Sequence, residues 1–471
     1  MQSPLTDLLS AWLPAQRWFA GGGAGISKIE VTSDLQLAAG DPELRHLLVD
    51  VWLGQDRVSY QVLAGLRAEL PAALAAALIG QLPDGRIAYD GAADPELTSV
   101  LLHGIAAGRR VGPLRFEREP GAVIDEIAPG RTLPALASNT SVVFGDEAIL
   151  KLLRRPFAGH HPDLEVPAAL ARNGSKLVAA PLGWIEMQDS GQSMPVATPV
   201  SSAPVPSAAA ATESADAAVL AILSVFFRNA SDGWSLATSS LHAAEPSFAD
   251  QALRLGEATA RLHAELAGAF GTSALSRPAL ASMVDAMETE LTQAIEVVPE
   301  LREYEQAVGA SYAALTEPGT DIVVQRIHGD YHLAQVLGTA DGWVVLDFEG
   351  EPSVPMARRR AFAPALRDVA GMLRSFDYAA RHEVLRHPED RCLADAAPGW
   401  VRRCRDAFCS GYADIMGTDP MRPRPGGEPG PGSPLLRALI LQKAVYEAVY
   451  EARHRPDWLP IPLAAIAEAS R

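Results

Sequence analysis

The sequence predicts an α+β protein arranged as two lobes, with a β-rich first half and a helix-rich second half. Three observations carry that reading. Short strand-like apolar runs crowd the chain before residue 228. Amphipathic segments of helical period follow from residue 246. No repeat of fixed period is visible in either half.

The elements follow in order. Within 1–110, His46–Leu53 and Arg57–Leu63 read as strands and the alanine-rich Leu66–Leu78 as a helix. Val111–Glu117 with Ala122–Asp125 reads as a strand pair. The polar turn Ser138-Asn139-Thr140-Ser141 comes next, and then Val142–Phe144 and Ala148–Leu153, joined by Gly145-Asp146 as a hairpin. Residues 187–217 are rich in Ala, Ser and Pro and hold no aromatic residue, so they cannot bury enough apolar surface to order themselves. Lying between strand-like Leu177–Glu186 and apolar Val219–Phe227, they are expected to be a surface insertion at a hairpin tip. Helices are expected over Ser247–Leu266, Met283–Val297 and Glu300–Leu315, then a strand pair, Val323–Ile327 with Trp343–Phe348. Arg367–Ala380, Trp400–Ile415 and Leu435–Arg453 complete the helical half.

Composition narrows the function. With 471 residues, 48% of them hydrophobic, the chain can fill several domains, which excludes global disorder. A net charge of −17 and a pI near 5.1 argue against nonspecific nucleic-acid binding. No apolar run reaches the roughly 18–20 residues of a membrane span, and no basic segment opens a signal peptide. Cys392, Cys404 and Cys409 make neither a disulfide framework nor a zinc site. A cytoplasmic enzyme acting as a monomer, with no nucleic-acid or membrane partner, is the expectation.

The densest chemistry lies in Ile327-His328-Gly329-Asp330-Tyr331-His332-Leu333-Ala334-Gln335, followed by Val344-Val345-Leu346-Asp347-Phe348-Glu349. Phosphoryl transfer needs a carboxylate beside the acceptor hydroxyl, an amide oxygen on magnesium and a second carboxylate on the metal. Asp330, Gln335 and Asp347 supply these in the order and strand context used by protein kinases, where Asn holds the place of Gln335. The plainer alternative is a polar loop capping strand ends.

His-Gly-Asp-x-His with a strand-closing Asp resembles the aminoglycoside-phosphotransferase-like kinases. Longer strings resemble the actinobacterial maltokinase family: Trp12–Phe19, Ser138–Gly145, the run from Asp347 to Pro352, Arg367–Tyr378, and the run from Tyr446 to Trp458. The resemblance covers almost the whole chain outside 187–217. It implies a protein-kinase-like fold with a cap subdomain (1–110), a β-rich lobe carrying ATP-binding elements (111–228) and a helical lobe with the catalytic loop and acceptor site (229–471).

ATP and Mg²⁺ are the implied cofactors. Lys151, inside an apolar strand where an unpaired ammonium is costly, would hold the phosphates. Glu165 is the candidate to position it, unless it only stabilises a helix N-terminus; Asp163 lies two residues before it. Ser138, Asn139, Thr140 and Ser141 would lie over the phosphates, although the glycine pattern of protein kinases is missing. Val225 falls in the expected adenine hinge, which also reads as a plain core strand. Asp330 would be the base, and Gln335 and Asp347, with Glu349, would hold magnesium. His328 and His332 are expected as hydrogen-bonding supports, His332 also on the acceptor side.

On Leu435–Arg453, Gln442, Tyr446 and Tyr450 share one helix face, with Lys443, Glu447 and Glu451 one position along. Such a face suits a sugar, or is simply a half-buried tyrosine stripe. The resemblance implies the first, since maltokinases use this helix for their acceptor. The chain departs from the maltokinase pattern at Gln442, where an acidic residue is usual, and at Tyr331, where a small aliphatic one is. Both departures suggest a different, smaller acceptor. The related glucosamine-phosphorylating branch fits, with Glu447 or Asp330 near the substrate ammonium. The expected function is therefore ATP-dependent phosphorylation of glucosamine at O6, with maltose 1-phosphate formation as runner-up. A non-catalytic kinase-fold sensor and an aminoglycoside-modifying enzyme are the rivals.

Overall fold

A computed structural model describes residues 5–19, 25–133, 139–188, 217–243, 247–317, 322–351, 354, 359–417 and 433–470. The chain packs as two compact units, the first built from residues up to 171 with 179–188 and 217–228, the second from 172–178 and 229–470.

The first unit opens with helix α1 (Leu5–Trp12) and a five-stranded antiparallel sheet. Its strands are β1 (Ile26–Ala38), β2 (Glu43–Leu53), β3 (Asp56–Arg67), β4 (Leu78–Gln81) and β5 (Ile87–Asp90), in the order β1-β2-β3-β5-β4. β2 and β3 are buried on both faces, which is why they read as nearly continuous apolar runs. One face packs on Leu5, Leu9, Trp12 and Trp18. The other joins α2 (Pro95–Ala106) and the second sheet in a shared core around Leu101, Ile105, Phe116 and Leu150. Asp94 caps α2 by accepting from the Glu96 N–H.

The second sheet holds β6 (Arg110–Val111), β7 (Leu114–Arg118), β8 (Gly130–Thr132), β9 (Thr140–Phe144), β10 (Ala148–Leu152), β11 (Pro181–Gln188) and β12 (Ala217–Val225). Their order is β6-β7-β11-β12-β10-β9-β8, and helix α3 (Pro162–Arg172) follows β10 in the chain. The expected β9–β10 hairpin is present. Gln188 pairs with Ala217, so the low-complexity run, which lies outside the described residues apart from its ends, is bracketed by a hairpin.

Two expectations fail here. The alanine run 66–78 is no α-helix: Leu66 and Arg67 finish β3, a short 3-10 turn covers Ala72–Ala77, and Leu78 begins β4. Pro71 and strand pairing on both sides override alanine's helix preference. Ala122–Asp125 forms no strand; β7 pairs with β6 and β11 instead.

The second unit contains β13 (Ser231–Asp232), α4 (Gly233–Leu241), α5 (Ala249–Phe270), β14 (Thr272–Ala274), α6 (Arg277–Val297), α7 (Glu305–Ala313), β15 (Val323–Gln325), β16 (Val336–Thr339) and β17 (Gly342–Val345). Helices α8 (Leu366–Arg386), α9 (Arg391–Met416), α10 (Pro434–His454) and α11 (Pro460–Ala469) complete it. β15 pairs with β14 and β17 with β16, so the two strands expected to pair with each other do not. α5 and α9 cross backbone to backbone: a Cβ on Gly256 would lie 2.0 Å from the Phe408 carbonyl oxygen, and one on Gly411 2.0 Å from that of Leu253.

Candidate active site

The catalytic loop hangs from one buried carboxylate. Asp368, on the first turn of α8, accepts from the His328 N–H at 2.8 Å and from the Gly329 N–H at 2.9 Å. His263 on α5 lies 3.2 Å from the same carboxylate and is steadied by the Tyr412 hydroxyl at 3.0 Å. Burial would raise the Asp368 pKa, but these partners and the His328 charge hold it below the ordinary value. The His328 ring reaches the Leu346 carbonyl at 2.7 Å, tying the loop to the strand that carries Asp347. His328 is thus a structural hydrogen bonder.

Asp330 is half-buried at the tip of this loop. Lys443 Nζ on α10 lies 3.6 Å from its Oδ1, His332 Nε2 lies 3.8 Å from its Oδ2, and Glu351 takes Lys443 at 2.8 Å. Burial pushes the Asp330 pKa up, but His332, Lys443 and His328 outweigh it and bring it down to about 2. Lys443 is in turn kept charged: burial disfavours the ammonium, and Glu351, Asp330 and Glu447 more than offset that. Lys443, Glu351 and Asp368 are additions to the sequence reading. Their signals were the charged row on α10 and the strings 347–352 and 367–378, which were read as family likeness without roles.

Gln335 ends a short 3-10 turn, and its carbonyl accepts the Leu346 N–H at 2.9 Å, setting it beside the end of β17. There Asp347 holds a left-handed backbone, φ +57°, a costly conformation for a non-glycine residue that re-aims its carboxylate where the strand stops. Glu349 follows, half-buried. An amide oxygen and carboxylates are hard donors, and this set fits a magnesium ion.

Three acceptor assignments change. Tyr331 points into the core, 2% exposed, with its hydroxyl 2.9 Å from that of Thr259, and so cannot shape an acceptor pocket. Gln442 spans Glu290 at 2.9 Å and Arg367 at 3.1 Å, an interhelical tie that occupies both ends of its amide. Tyr450 is 41% exposed and stacks on His454 about 10 Å further along the helix axis than Lys443. Glu447 is buried and gives one oxygen to Arg374, at 2.9 and 2.7 Å, leaving at most the other for a sugar; burial raises its pKa. Tyr446 stays with the site, its ring 5.1 Å from the Lys443 ammonium.

In the first unit, Lys151 donates to Asp163 at 2.8 Å, so the carboxylate seen to hold the lysine is Asp163; Glu165 sits half-buried on the same first turn of α3. Ser141 lies directly across the ladder from Lys151 and shares its sheet face. Thr140 does not serve as expected: it is buried, and its hydroxyl accepts from Arg154 at 2.8 Å, which also binds Asp90. Asn139 is half-buried just before β9, and Ser138 lies outside the described residues. Val225 ends β12 and donates its N–H to Ala180 at 3.0 Å.

A sheet with a paired lysine in one unit, and an Asp-bearing loop among helices in the other, define a kinase-like phosphotransferase. The maltokinase N-terminal cap domain model matches residues 12–94. Over 342 residues the chain is 30% identical to a glucosamine kinase of Streptacidiphilus jiangxiensis, covering 69% of this chain and 70% of that one. It is 31% identical to a glucosamine kinase of Mycolicibacterium smegmatis, covering 70% and 76%. The fold also matches a solved glucosamine kinase in complex with glucosamine, ADP and inorganic phosphate, with TM-score 0.67, 22% identity and 99% of both chains covered. The chain belongs to the glucosamine kinase family, a maltokinase-like family of sugar kinases. Among the described residues no helix is long and apolar enough to cross a membrane.

Proposed function

We propose that this chain transfers the γ-phosphoryl group of ATP to O6 of D-glucosamine. The observation that carries the reading is the likeness to two glucosamine kinases across more than two-thirds of their length. Asp330 receives the acceptor hydroxyl. With a pKa near 2 it is a weak base, so it mainly orients the hydroxyl and accepts the proton late, which suits a loose transition state. Lys443 and His332 keep it ionised, and Glu351 keeps Lys443 in place. Lys151, held by Asp163, steadies the nucleotide phosphates together with Ser141, and Val225 belongs to the adenine hinge. Gln335, Asp347 and Glu349 would hold magnesium, which when bound neutralises charge on the phosphates. Tyr446 and the free oxygen of Glu447 are the acceptor-side groups on α10.

The amino sugar no longer rests on Gln442 or Tyr331, since one ties helices together and the other is core. The test is a coupled ADP-release assay with ATP and Mg²⁺ against glucosamine, glucose, N-acetylglucosamine, maltose and kanamycin. Turnover with glucosamine is expected, falling about 10²- to 10⁴-fold in Asp330→Asn with ATP affinity preserved. Turnover with maltose or kanamycin but not glucosamine overturns the acceptor, and full activity in Asp330→Asn overturns the base.

A further inference from the structure

A second set of polar side chains gathers at the C-terminal end of α8. α4 ends with His242 as its C-cap residue and α8 ends with His387. Glu383, 6% exposed, stands between them. His242 Nε2 lies 2.7 Å and His387 Nε2 3.8 Å from Glu383 Oε2, while His382 Nε2 lies 3.6 Å from Oε1. One donor atom each from His242, Glu383 and His387 lies within 4.8 Å of the others.

We propose that this is a transition-metal site, best matched to Zn²⁺, with His242, His387 and Glu383 as ligands and one position left to water. Bond lengths of about 2.0–2.1 Å put tetrahedral donor atoms about 3.3 Å apart, and the observed 2.7 and 3.8 Å bracket that spacing. Imidazoles beside a carboxylate suit zinc rather than the hard ions of the catalytic loop. Among the described residues no lysine or arginine forms an ion pair with Glu383, so a buried carboxylate is met only by imidazoles. Both helices present their C-terminal ends here, where the carbonyl dipoles favour a cation. His382 is wedged between Trp458 and Trp234, at 4.8 and 5.5 Å, and steadies the carboxylate from behind; its buried Nδ1 has no hydrogen-bond partner. The His242 and His387 side chains are 42% and 41% exposed, which gives an ion a way in. Asp368 and Glu383 are about 22 Å apart along α8, so this site is separate from the catalytic loop and would staple α4 to α8.

The test uses the metal-stripped full chain in excess Mg²⁺, titrated with Zn²⁺ against a chromophoric chelator and, separately, with Co²⁺ as a spectroscopic probe. One equivalent should bind, with intense tetrahedral-type Co²⁺ bands, and His242→Asn/His387→Asn should weaken Zn²⁺ at least about 100-fold while the apo chain keeps its folded circular-dichroism spectrum at the assay temperature. Zn²⁺ should also protect His242 and His387 of the unmutated chain from acylation by diethyl pyrocarbonate, a readout that needs no variant to fold. Affinity weaker than about 10 μM, binding unaffected by the double variant, or no protection of either histidine overturns the proposal.

Discussion

Acidification should loosen the first unit through one histidine. His46 on β2 is buried among Leu37, Leu63, Leu101, Leu114 and Phe116. Its Nε2 lies 3.2 Å from Gln61 Oε1, while its Nδ1 is buried without a partner, so a proton added there would find no acceptor. Burial pushes its pKa down to about 4, against the upward pulls of Gln61 and Asp34. The folded value lies below the ordinary 6.5, so the unfolded chain takes up the proton first. Stability is therefore complete above about pH 6.5 and is lost as pH falls towards 4. Integrating the linkage between pH 7 and pH 5 gives a loss of about 2 kcal/mol from this group. Hydrogen exchange of β2 and β3 peptides, corrected for the intrinsic pH dependence of exchange, reads the opening free energy of this unit by itself. His46→Leu leaves Gln61 short of a partner at every pH, a constant cost, but should remove about 2 kcal/mol of pH dependence. Equal pH dependence in both proteins refutes the reasoning.

Two further outcomes concern the catalytic loop. Lys443→Met removes one of the charges that hold the Asp330 pKa near 2, so the acid limb of the kcat/KM profile for the acceptor should climb by a unit or more, about 1.4 kcal/mol per unit; an unmoved limb refutes the coupling. Gly371→Ala would place a Cβ 2.5 Å from the Tyr331 carbonyl oxygen, pushing the loop off α8. It should cost about 1–3 kcal/mol of stability and lower kcat more than ATP affinity, read by urea melts and steady-state kinetics.

The catalytic loop was legible because its chemistry compresses three donors into a short stretch whose spacing survives any packing. Side-chain direction was not. Asp163, two residues before the expected Glu165, is the carboxylate seen on Lys151 because α3 begins at Pro162, and a helix start misplaced by a residue or two turns a different carboxylate to the strand. Tyr331 looked like a pocket wall beside the base; the hydroxyl of Thr259, seventy-two residues away, draws it into the core. Likewise Gln442, Tyr446 and Tyr450 do share a helix face, but Glu290 and Arg367 claim the first and His454 the last. The strands 323–325 and 342–345 were found, but their partners were not. β14 lies far back in the chain from β15, a long-range pairing that local pattern does not encode, whereas β16 meets β17 through the tight Ala340-Asp341 turn, a local hairpin that went unread.

α8 holds Asp368 under the catalytic loop, Arg374 against Glu447 of α10, and Glu383 between the histidines at its end. Mechanically it is a lever about 22 Å long between the first and last of these, and a tilt of only 5° about one end would swing the other by about 2 Å. Productive geometry tolerates roughly 0.5 Å. Every residue from Asp368 to Ala380 is buried, so the lever is clamped along most of its length. That packing, and not the helix end, is what keeps the aim of Asp330: a pull at the far end is resisted along thirteen buried residues, Asp368 the last of them.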